Sequence, residues 1–161
     1  MDITLIAAIG KNRELGKNND LIWNIPGDLK FFRKNTLGKP IVMGMNTLNS
    51  LPGLLPDRKH IVLTHRNIEL GREIVIVHSI DELLQYIDLL NEEVMIIGGE
   101  TLYSQMIGYA NKMLLTEIDD SKDCDVYFPE FYPDEWNRDV ISSHTYEDID
   151  YKHVLYRRKI R

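Results

Sequence analysis

The chain has 161 residues, of which 43% are hydrophobic and 27% are charged, and its formal net charge at pH 7 is −6. This composition is typical of one globular domain covering residues 1–161, and the negative charge argues against nucleic acid or an acidic membrane as a partner. Cys124 is the single cysteine, which excludes an internal disulfide and a thiolate zinc site, so no metal is expected. The first residues lack a basic segment and a long apolar stretch, so we expect a cytoplasmic protein without a membrane anchor.

Short apolar runs rich in strand-forming residues recur along the chain. They cover residues 3–9, 41–45, 60–64, 73–79, 93–99 and 112–118. Nearly continuous apolar runs are typical of strands that are covered on both faces, as in parallel sheets.

Segments with helical spacing lie between these runs, at 28–35, 79–90 and 99–110, and the second opens with a capping box at Ser79 and Glu82. The segment 140–160 is typical of two strands around a turn at 147–150. We therefore predict an α/β fold: a central, mostly parallel twisted β-sheet with an antiparallel C-terminal hairpin, flanked by about four helices.

Asp28 lies in the apolar stretch IWNIPGDLKFF, directly after a Pro-Gly pair. One interpretation is a helix N-cap, because an aspartate oxygen readily accepts from a free backbone N–H at that position. The other is a buried acid that recognises a cationic heterocycle. The local sequence favours the cap, and only motifs elsewhere in the chain can distinguish the two interpretations.

Three predicted strands end in groups that suit a phosphate, and ligands of open α/β sheets bind at such strand ends. The groups are Gly98-Gly99, then Gly44 with Asn46, Thr47 and Ser50, and finally Thr64-His65-Arg66. Each group has a plainer alternative, namely a tight turn, an ordinary helix start or a charged surface. The glycines do not form G-x-G-x-x-G, so the usual dinucleotide fingerprint is absent.

A series of spaced motifs runs through the whole chain in one order. It comprises Trp23-x-x-Pro26-x-Asp28-Leu29 with Phe32, Met43-Gly44 with Thr47 and Ser50, Leu55-Pro56-x-Arg58, Ile97-Gly98-Gly99 with Tyr103, then Thr116 and Asp125 with Phe128-Pro129. This series resembles the dihydrofolate reductases, at the length of a bacterial member. The resemblance implies reduction of 7,8-dihydrofolate to 5,6,7,8-tetrahydrofolate, with a hydride from NADPH to C6 and a proton at N5. It also changes the preferred interpretation of Asp28 to an active-site acid.

By this resemblance, Asp28 accepts hydrogen bonds from the pterin N3–H and 2-amino group, and Thr116 bonds to the acid. Trp23 holds a water through its indole N–H, and Leu21, on a mobile loop at 10–23, controls access of the water that protonates N5. These four residues form the expected catalytic set. Asp125 is expected to hold one state of the loop.

The remaining substrate contacts implied by the resemblance come from apolar residues and one arginine. They are Ile6, Ala8, Leu29, Phe32, Leu51, Leu55, Arg58, Ile97 and Tyr103. Arg58 is expected to clamp the α-carboxylate of the glutamate tail, because a guanidinium can bond to both oxygens at once.

The implied NADPH site lies around the three strand ends and the mobile loop. Its expected residues are Ala8, Ile9, Gly16, Asn19, Leu21, Gly44, Met45, Asn46, Thr47, Leu63, Thr64, His65, Arg66, Ile97, Gly98, Gly99, Glu100, Thr101, Leu102 and Tyr103. In the family, the Gly98–Gly99 bond is cis.

Several positions depart from the family pattern, including Ile22 before Trp23 and the segment SLPGLLPD at 50–57. Met45 and the Glu100-Thr101 pair stand where arginines often bind the 2′-phosphate of the cofactor. We therefore expect a reduced preference for NADPH over NADH, with Arg66 as the substitute cation.

Small-molecule partners are expected, namely dihydrofolate and antifolate inhibitors, with the protein acting as a monomer. Two alternatives remain at this point. One is another pterin or riboflavin-pathway reductase of the same fold, and the other is a non-catalytic folate- or nucleotide-binding module.

Overall fold

The computed structural model of the protein describes residues 1–17, 20–71 and 73–160, apart from the side chains of Lys17, Asp20 and Leu21. The strands are β1 (Asp2–Ile9), β2 (Glu14–Lys17), β3 (Asp20–Leu21), β4 (Ile41–Gly44), β5 (His60–Leu63), β6 (Ile74–Val77), β7 (Glu93–Gly98), β8 (Lys112–Ile118), β9 (Val126–Tyr127), β10 (Trp136–Tyr146) and β11 (Ile149–Arg158). The α-helices are α1 (Pro26–Thr36), α2 (Met45–Ser50), α3 (Ile80–Leu90) and α4 (Glu100–Met106), and Pro133–Glu135 forms a 3₁₀ turn.

Eight strands form one sheet in the order β10-β11-β8-β1-β7-β4-β5-β6. The neighbours from β8 to β6 are parallel, whereas β11 is antiparallel to both β8 and β10. The six apolar runs all form strands of this sheet, although several strands are shorter than the runs. The predicted α/β fold is therefore confirmed, including the C-terminal hairpin and, within the described ranges, the four helices.

The sheet is buried because its central strands carry apolar side chains on both faces. Ile3 and Leu5 of β1 and Val42 of β4 belong to the larger core cluster, and Ile41 and Met43 belong to a second cluster. These five side chains are fully buried. This burial accounts for the continuous apolar runs in the sequence.

Two helices differ in detail from the sequence prediction. Ser79 caps α3 by accepting from the Glu82 N–H at 3.0 Å, but the Glu82 carboxylate accepts from His78 N–H at 2.9 Å and not from Ser79. The second half of the capping box is thus displaced by one residue. Helix α4 ends at Met106, before the predicted end at 110, because Tyr109 and Ala110 bond back to the Met106 carbonyl in a turn.

The start of helix α1 shows whether Asp28 is its N-cap. Its N-cap is Ile25, which has no side-chain hydrogen bond to the helix, and Pro26 is the first helical residue. Proline suits that position because it has no N–H that needs a partner. Asp28 lies inside the first turn, so the cap interpretation is wrong.

The segment 10–23, predicted as a loop, contains strands β2 and β3, which form a three-stranded antiparallel sheet with β9. Buried Glu14 connects this segment by hydrogen bonds to the loop that contains Ser121 and Lys122. Its carboxylate accepts from Asn12 N–H at 2.6 Å, Ser121 Oγ at 2.7 Å and Lys122 N–H at 3.0 Å. Burial alone would raise the pKa of Glu14, but these hydrogen bonds outweigh it and the pKa is lowered.

Within residues 1–17, 20–71 and 73–160, no helix is both long enough and apolar enough to cross a membrane.

Candidate active site

The carboxyl ends of three neighbouring strands form one edge of the sheet. They are the ends of β7 at Gly98, β4 at Gly44 and β5 at Leu63. A side chain added at Gly44 would meet no atom within 4 Å, so the backbone there faces open space. The topology thus brings together the three predicted groups at the position where open α/β sheets bind ligands.

The Gly98–Gly99 peptide bond is cis, as the resemblance implied. Gly98 has a φ of +127°, which side-chain-bearing residues rarely adopt, and a Cβ there would lie 3.4 Å from both Thr47 Oγ1 and the Tyr103 hydroxyl oxygen. This glycine is therefore required by its conformation and its close neighbours. Gly98 itself is buried, Gly99 beside it is exposed and Gly44 is half-buried.

Asp28 of α1 and Thr116 of β8 are in direct contact. Thr116, on β8, is buried, and its hydroxyl donates a short hydrogen bond to Asp28 Oδ1. The Asp28 side chain is 23% exposed, so the carboxylate is held by the protein and also accessible to a ligand. The structure thus pairs the acid and the hydroxyl that the sequence predicted.

His153 also faces the acid, and the sequence analysis missed it. This residue of β11 pairs in register with Thr116, and its Nε2 lies 3.4 Å from Asp28 Oδ1. The ring stacks on Phe31 with 3.7 Å between centroids and 9° between planes. The available signal was the alternation of Tyr151 and His153 on one face of the predicted hairpin.

Trp23 makes a contact different from the predicted one. Its indole Nε1–H donates to Asp120 Oδ2 at 2.9 Å, and this bond lowers the pKa of Asp120. An indole has one N–H, and here that group donates to Asp120, so the water bond through it stays a prediction. Asp120 is a second residue near the site that the sequence analysis did not identify.

Most of the predicted apolar substrate residues lie in one cluster. Buried Ile6 packs there with the half-buried side chains of Phe32, Leu51, Leu55 and Ile97. They form an apolar wall near α1 and α2.

Three other predicted substrate residues lie outside this wall. Ala8 packs with Trp23 in a separate cluster, and Leu29 is 54% exposed. Tyr103 is buried in the main core, where its hydroxyl donates to the Ile6 carbonyl at 2.6 Å. Burial and the charge of Asp28 raise the pKa of Tyr103.

Arg58 is held by acceptors of the protein itself. Its Nε donates to Thr36 Oγ1 at 2.9 Å, one terminal nitrogen to the Pro56 carbonyl at 2.8 Å, and the other to the Arg33 carbonyl at 3.4 Å. Burial, followed by the charge of Arg33, lowers the pKa of Arg58. A guanidinium has five N–H groups, so two remain for a ligand carboxylate.

The predicted cofactor residues occupy different environments. Met45, Thr47 and Leu63 are half-buried near the strand ends, and Asn46, Glu100, Thr101, His65 and Arg66 are exposed. Thr64 is buried and accepts from Arg66 N–H at 3.2 Å.

Other predicted cofactor residues lie away from these strand ends. Leu102 and Ile9 are buried in the main core. Gly16 lies in β2, where its carbonyl accepts from Asp125 N–H at 3.1 Å. Asn19 and the side chain of Leu21 lie outside the described residues.

A cavity of about 790 Å³ lies elsewhere, between the carboxyl ends of β1 and β8 and the β10–β11 hairpin. Lys11, Asp119 and Lys152 line it, whereas Asp28 and Thr116 do not. In the part of the chain that the structure describes, no group of three or more His, Cys, Asp or Glu side chains could hold a metal ion.

Comparison with known proteins gives one consistent result. Residues 2–158 match the family model described as dihydrofolate reductase. The dihydrofolate reductase of Bacillus subtilis (strain 168) is 37% identical over 164 residues, covering 98% of this chain and 95% of the relative. That of Buchnera aphidicola subsp. Baizongia pistaciae (strain Bp) is 36% identical over 160 residues, covering 99% and 87%.

A solved structure is similar over its whole length. The dihydrofolate reductase from Enterococcus faecalis, complexed with NADP(H) and RAB-propyl, superimposes with a TM-score of 0.88 at 26% identity, covering 99% of this chain and 97% of the other. The fold, the paired Asp28 and Thr116, the cis Gly98–Gly99 bond and these relatives lead to the same conclusion: the chain belongs to the dihydrofolate reductase family.

Proposed function

We propose that the protein reduces 7,8-dihydrofolate to 5,6,7,8-tetrahydrofolate with NADPH, adding a hydride at C6 and a proton at N5. The observation that carries this proposal is the Asp28 carboxylate, held by the Thr116 hydroxyl on a side chain that is still partly exposed. The family assignment of nearly the whole chain supports it.

Asp28 is proposed to bind the pterin ring. Thr116 bonds to Oδ1, which leaves Oδ2 and the second lone pair of Oδ1 for the paired N3–H and 2-amino donors of the pterin. The wall of Ile6, Phe32 and Leu51 would then exclude water from one side of the ring. Leu21, Ala8, Leu29, Leu55, Ile97 and Tyr103 remain proposed contacts.

The strand ends are proposed to bind NADPH, which supplies the hydride when bound. Gly44 and Gly98-Gly99 let the backbone approach the cofactor, while Thr64, His65 and Arg66 follow β5 on the same edge. Exposed Arg66 is the proposed partner of the 2′-phosphate, because Met45 and Thr101 carry no charge. The remaining cofactor residues named above are proposals on the same basis.

Arg58 is proposed to bind the glutamate tail of the substrate. Its guanidinium is already oriented by Thr36 and two backbone carbonyls, so little freedom is lost when its two remaining N–H groups bind a carboxylate.

We further propose that the protein acts as a cytoplasmic monomer on small molecules and not on nucleic acid. The net charge of −6 supports the absence of a nucleic-acid partner. The single cysteine is compatible with a reducing compartment. Sedimentation of the purified protein would test the monomer, since a concentration-dependent dimer would contradict it.

The decisive experiment is a spectrophotometric assay of NADPH oxidation with and without dihydrofolate. We expect oxidation that depends on dihydrofolate and yields tetrahydrofolate. Oxidation only with an aminopyrimidine intermediate of riboflavin synthesis would favour a reductase of that pathway. Binding of both ligands without turnover would identify a binding module.

A further inference from the structure

His153 is a buried, ionisable side chain that the proposed reaction does not use. It is 4% exposed, and its Nε2 has no hydrogen-bond partner among the described residues. The nearest opposite charge is Asp28, whose Oδ1 lies 3.4 Å from that nitrogen. This separation is within the range of an ion pair when the imidazole is protonated.

A histidine at this place is costly unless its charge is used. A buried polar nitrogen without a hydrogen bond lowers stability, whereas a ring without nitrogens would stack on Phe31 equally well. Stacking therefore does not account for an imidazole. The carboxylate in front of the ring does account for it, because an imidazole can carry a positive charge opposite an anion and a phenyl ring cannot.

The groups around the ring support this pairing. On the other side, Nδ1 lies 3.4 Å from Ser142 Oγ, which lies 2.8 Å from Nε2 of exposed His144. When only Nε2 of the neutral ring carries a proton, Nδ1 can accept a hydrogen bond from the Ser142 hydroxyl. When both ring nitrogens carry protons, Nδ1–H can donate to the same oxygen. Ser142 therefore supports the ring in both of its charge states.

The titratable groups that face His153 come from three elements. They are Asp28 from α1, His144 from β10 and Tyr151 from β11 itself, while β8 contributes only the Thr116 hydroxyl. Burial and the charge of Asp28 raise the pKa of Tyr151, so the phenol stays neutral. Asp28 is thus the anion among these groups.

We propose that His153 controls which ligands the Asp28 carboxylate accepts, by competing with cationic ligands for its negative charge. This inference rests on the proposed pterin site. When His153 is protonated, the pair is neutral, and a ligand that brings its own positive charge to Asp28 must displace that proton. A neutral pterin only donates hydrogen bonds to the carboxylate and competes much less.

The test compares the affinity of a protonated 2,4-diaminopyrimidine for wild type and for His153→Phe from pH 8 to pH 5.5 at constant ionic strength. Protonation of the ligand itself cancels in the ratio of the two Kd values. We expect the ratio of wild type to variant to rise about tenfold or more as pH falls, because only the wild-type ring can carry a positive charge that competes with the cationic ligand for Asp28. A ratio that is constant with pH would overturn the proposal.

His78→Phe is the matched control. It makes the same chemical change at an exposed ring directly after β6, which lies at the opposite end of the sheet order from the hairpin that carries His153. We expect its Kd ratio to wild type to stay constant with pH. Thermal unfolding of both variants checks that each is folded over the pH range of the comparison.

An NMR measurement tests the pair without any ligand. The His153 ring signals, assigned by their absence in His153→Phe, report whether both ring nitrogens carry protons. We expect the His153 ring signals to respond to pH differently in wild type and in Asp28→Asn, whereas those of exposed His65 respond alike in both. Identical responses of His153 in the two proteins would overturn the proposal. If the pyrimidine does not bind at all, the pterin site fails, but this comparison still decides whether Asp28 and His153 are coupled.

Discussion

The Thr116 hydroxyl on β8 donates a hydrogen bond to the Asp28 carboxylate on α1, joining two residues that are 88 positions apart in the sequence. This bond fixes the carboxylate against the sheet, because Thr116 is itself buried between neighbouring strands. An acid that is fixed and partly exposed is suited to orient a ligand.

Asp28→Asn should reduce dihydrofolate turnover at neutral pH by about ten- to a hundredfold while the fold stays intact. Asparagine keeps the size of the side chain, but its NH₂ group faces a pterin donor and it carries no charge, which removes a charge-assisted bond of about 1.5–3 kcal/mol. The measurement is kcat/KM with NADPH in excess. Asp81→Asn, at an exposed position in the first turn of α3, is the control. Wild-type turnover in Asp28→Asn would leave Asp28 with a structural role only.

Arg58→Leu should weaken dihydrofolate binding by about 2–5 kcal/mol, the usual loss when one partner of a buried charge pair is removed. Binding of a 2,4-diaminopyrimidine without a glutamate tail should change much less. Both affinities are measured by calorimetry below the unfolding transition, because the variant also loses the bond to Thr36. Arg58→Lys keeps the charge without the fork and should give an intermediate loss. Equal losses for the two ligands would show that Arg58 acts only on the fold.

Arg66→Ala should reduce the ratio of catalytic efficiencies for NADPH and NADH by about ten- to a hundredfold, if the exposed guanidinium makes one ionic hydrogen bond to the 2′-phosphate. The loss should appear in KM for NADPH and spare NADH. Arg157→Ala, an exposed arginine on β11, which is five strands away from β5 in the sheet order, should leave the ratio unchanged. A ratio unaffected by Arg66→Ala would assign phosphate recognition to other groups.

Glu93→Gln should remove an acid-sensitive part of the stability. The Glu93 carboxylate accepts from Lys112, Lys39 and Thr4. Burial opposes its charge, but these bonds outweigh burial and lower the pKa from 4.5 to about 2. A depressed pKa stabilises the fold above pH 4.5, and this contribution is lost as pH falls from 4.5 to 2.

Urea unfolding of wild type and Glu93→Gln between pH 7 and pH 2 measures this contribution. We expect the two free energies of unfolding to converge at low pH. Exposed Glu92→Gln should follow the wild-type curve. A constant difference between wild type and Glu93→Gln across this range would contradict the assignment.

Glu14→Gln should loosen the contact between the small sheet and the loop at 119–122. Glutamine cannot offer two anionic oxygens to Asn12, Ser121 and Lys122. Because the pKa of Glu14 is lowered, the wild-type contact is present above the ordinary glutamate range and weakens as pH falls through the lowered pKa. Hydrogen exchange should show faster exchange of the Asn12 and Lys122 amides in the variant. Glu130→Gln, whose carboxylate is 86% exposed, should not change these amides.

The sequence determined the sheet and most of the site. The apolar runs found the six central strands because burial on both faces leaves a continuous hydrophobic pattern along the chain. The spaced residues Trp23, Asp28, Thr116 and Gly98-Gly99 identified the family because each motif occupies a short segment that can be read without knowing the fold.

Only the tertiary structure decided which partners these residues have. Asp120 reaches Trp23, and His153 reaches Asp28, across strands and loops that are distant in the sequence. Periodicity reports whether a side chain is buried, but not what faces it. The pairing of β11 with β8 brings His153 beside Thr116, and it is this long-range register that places a second ionisable group against the acid.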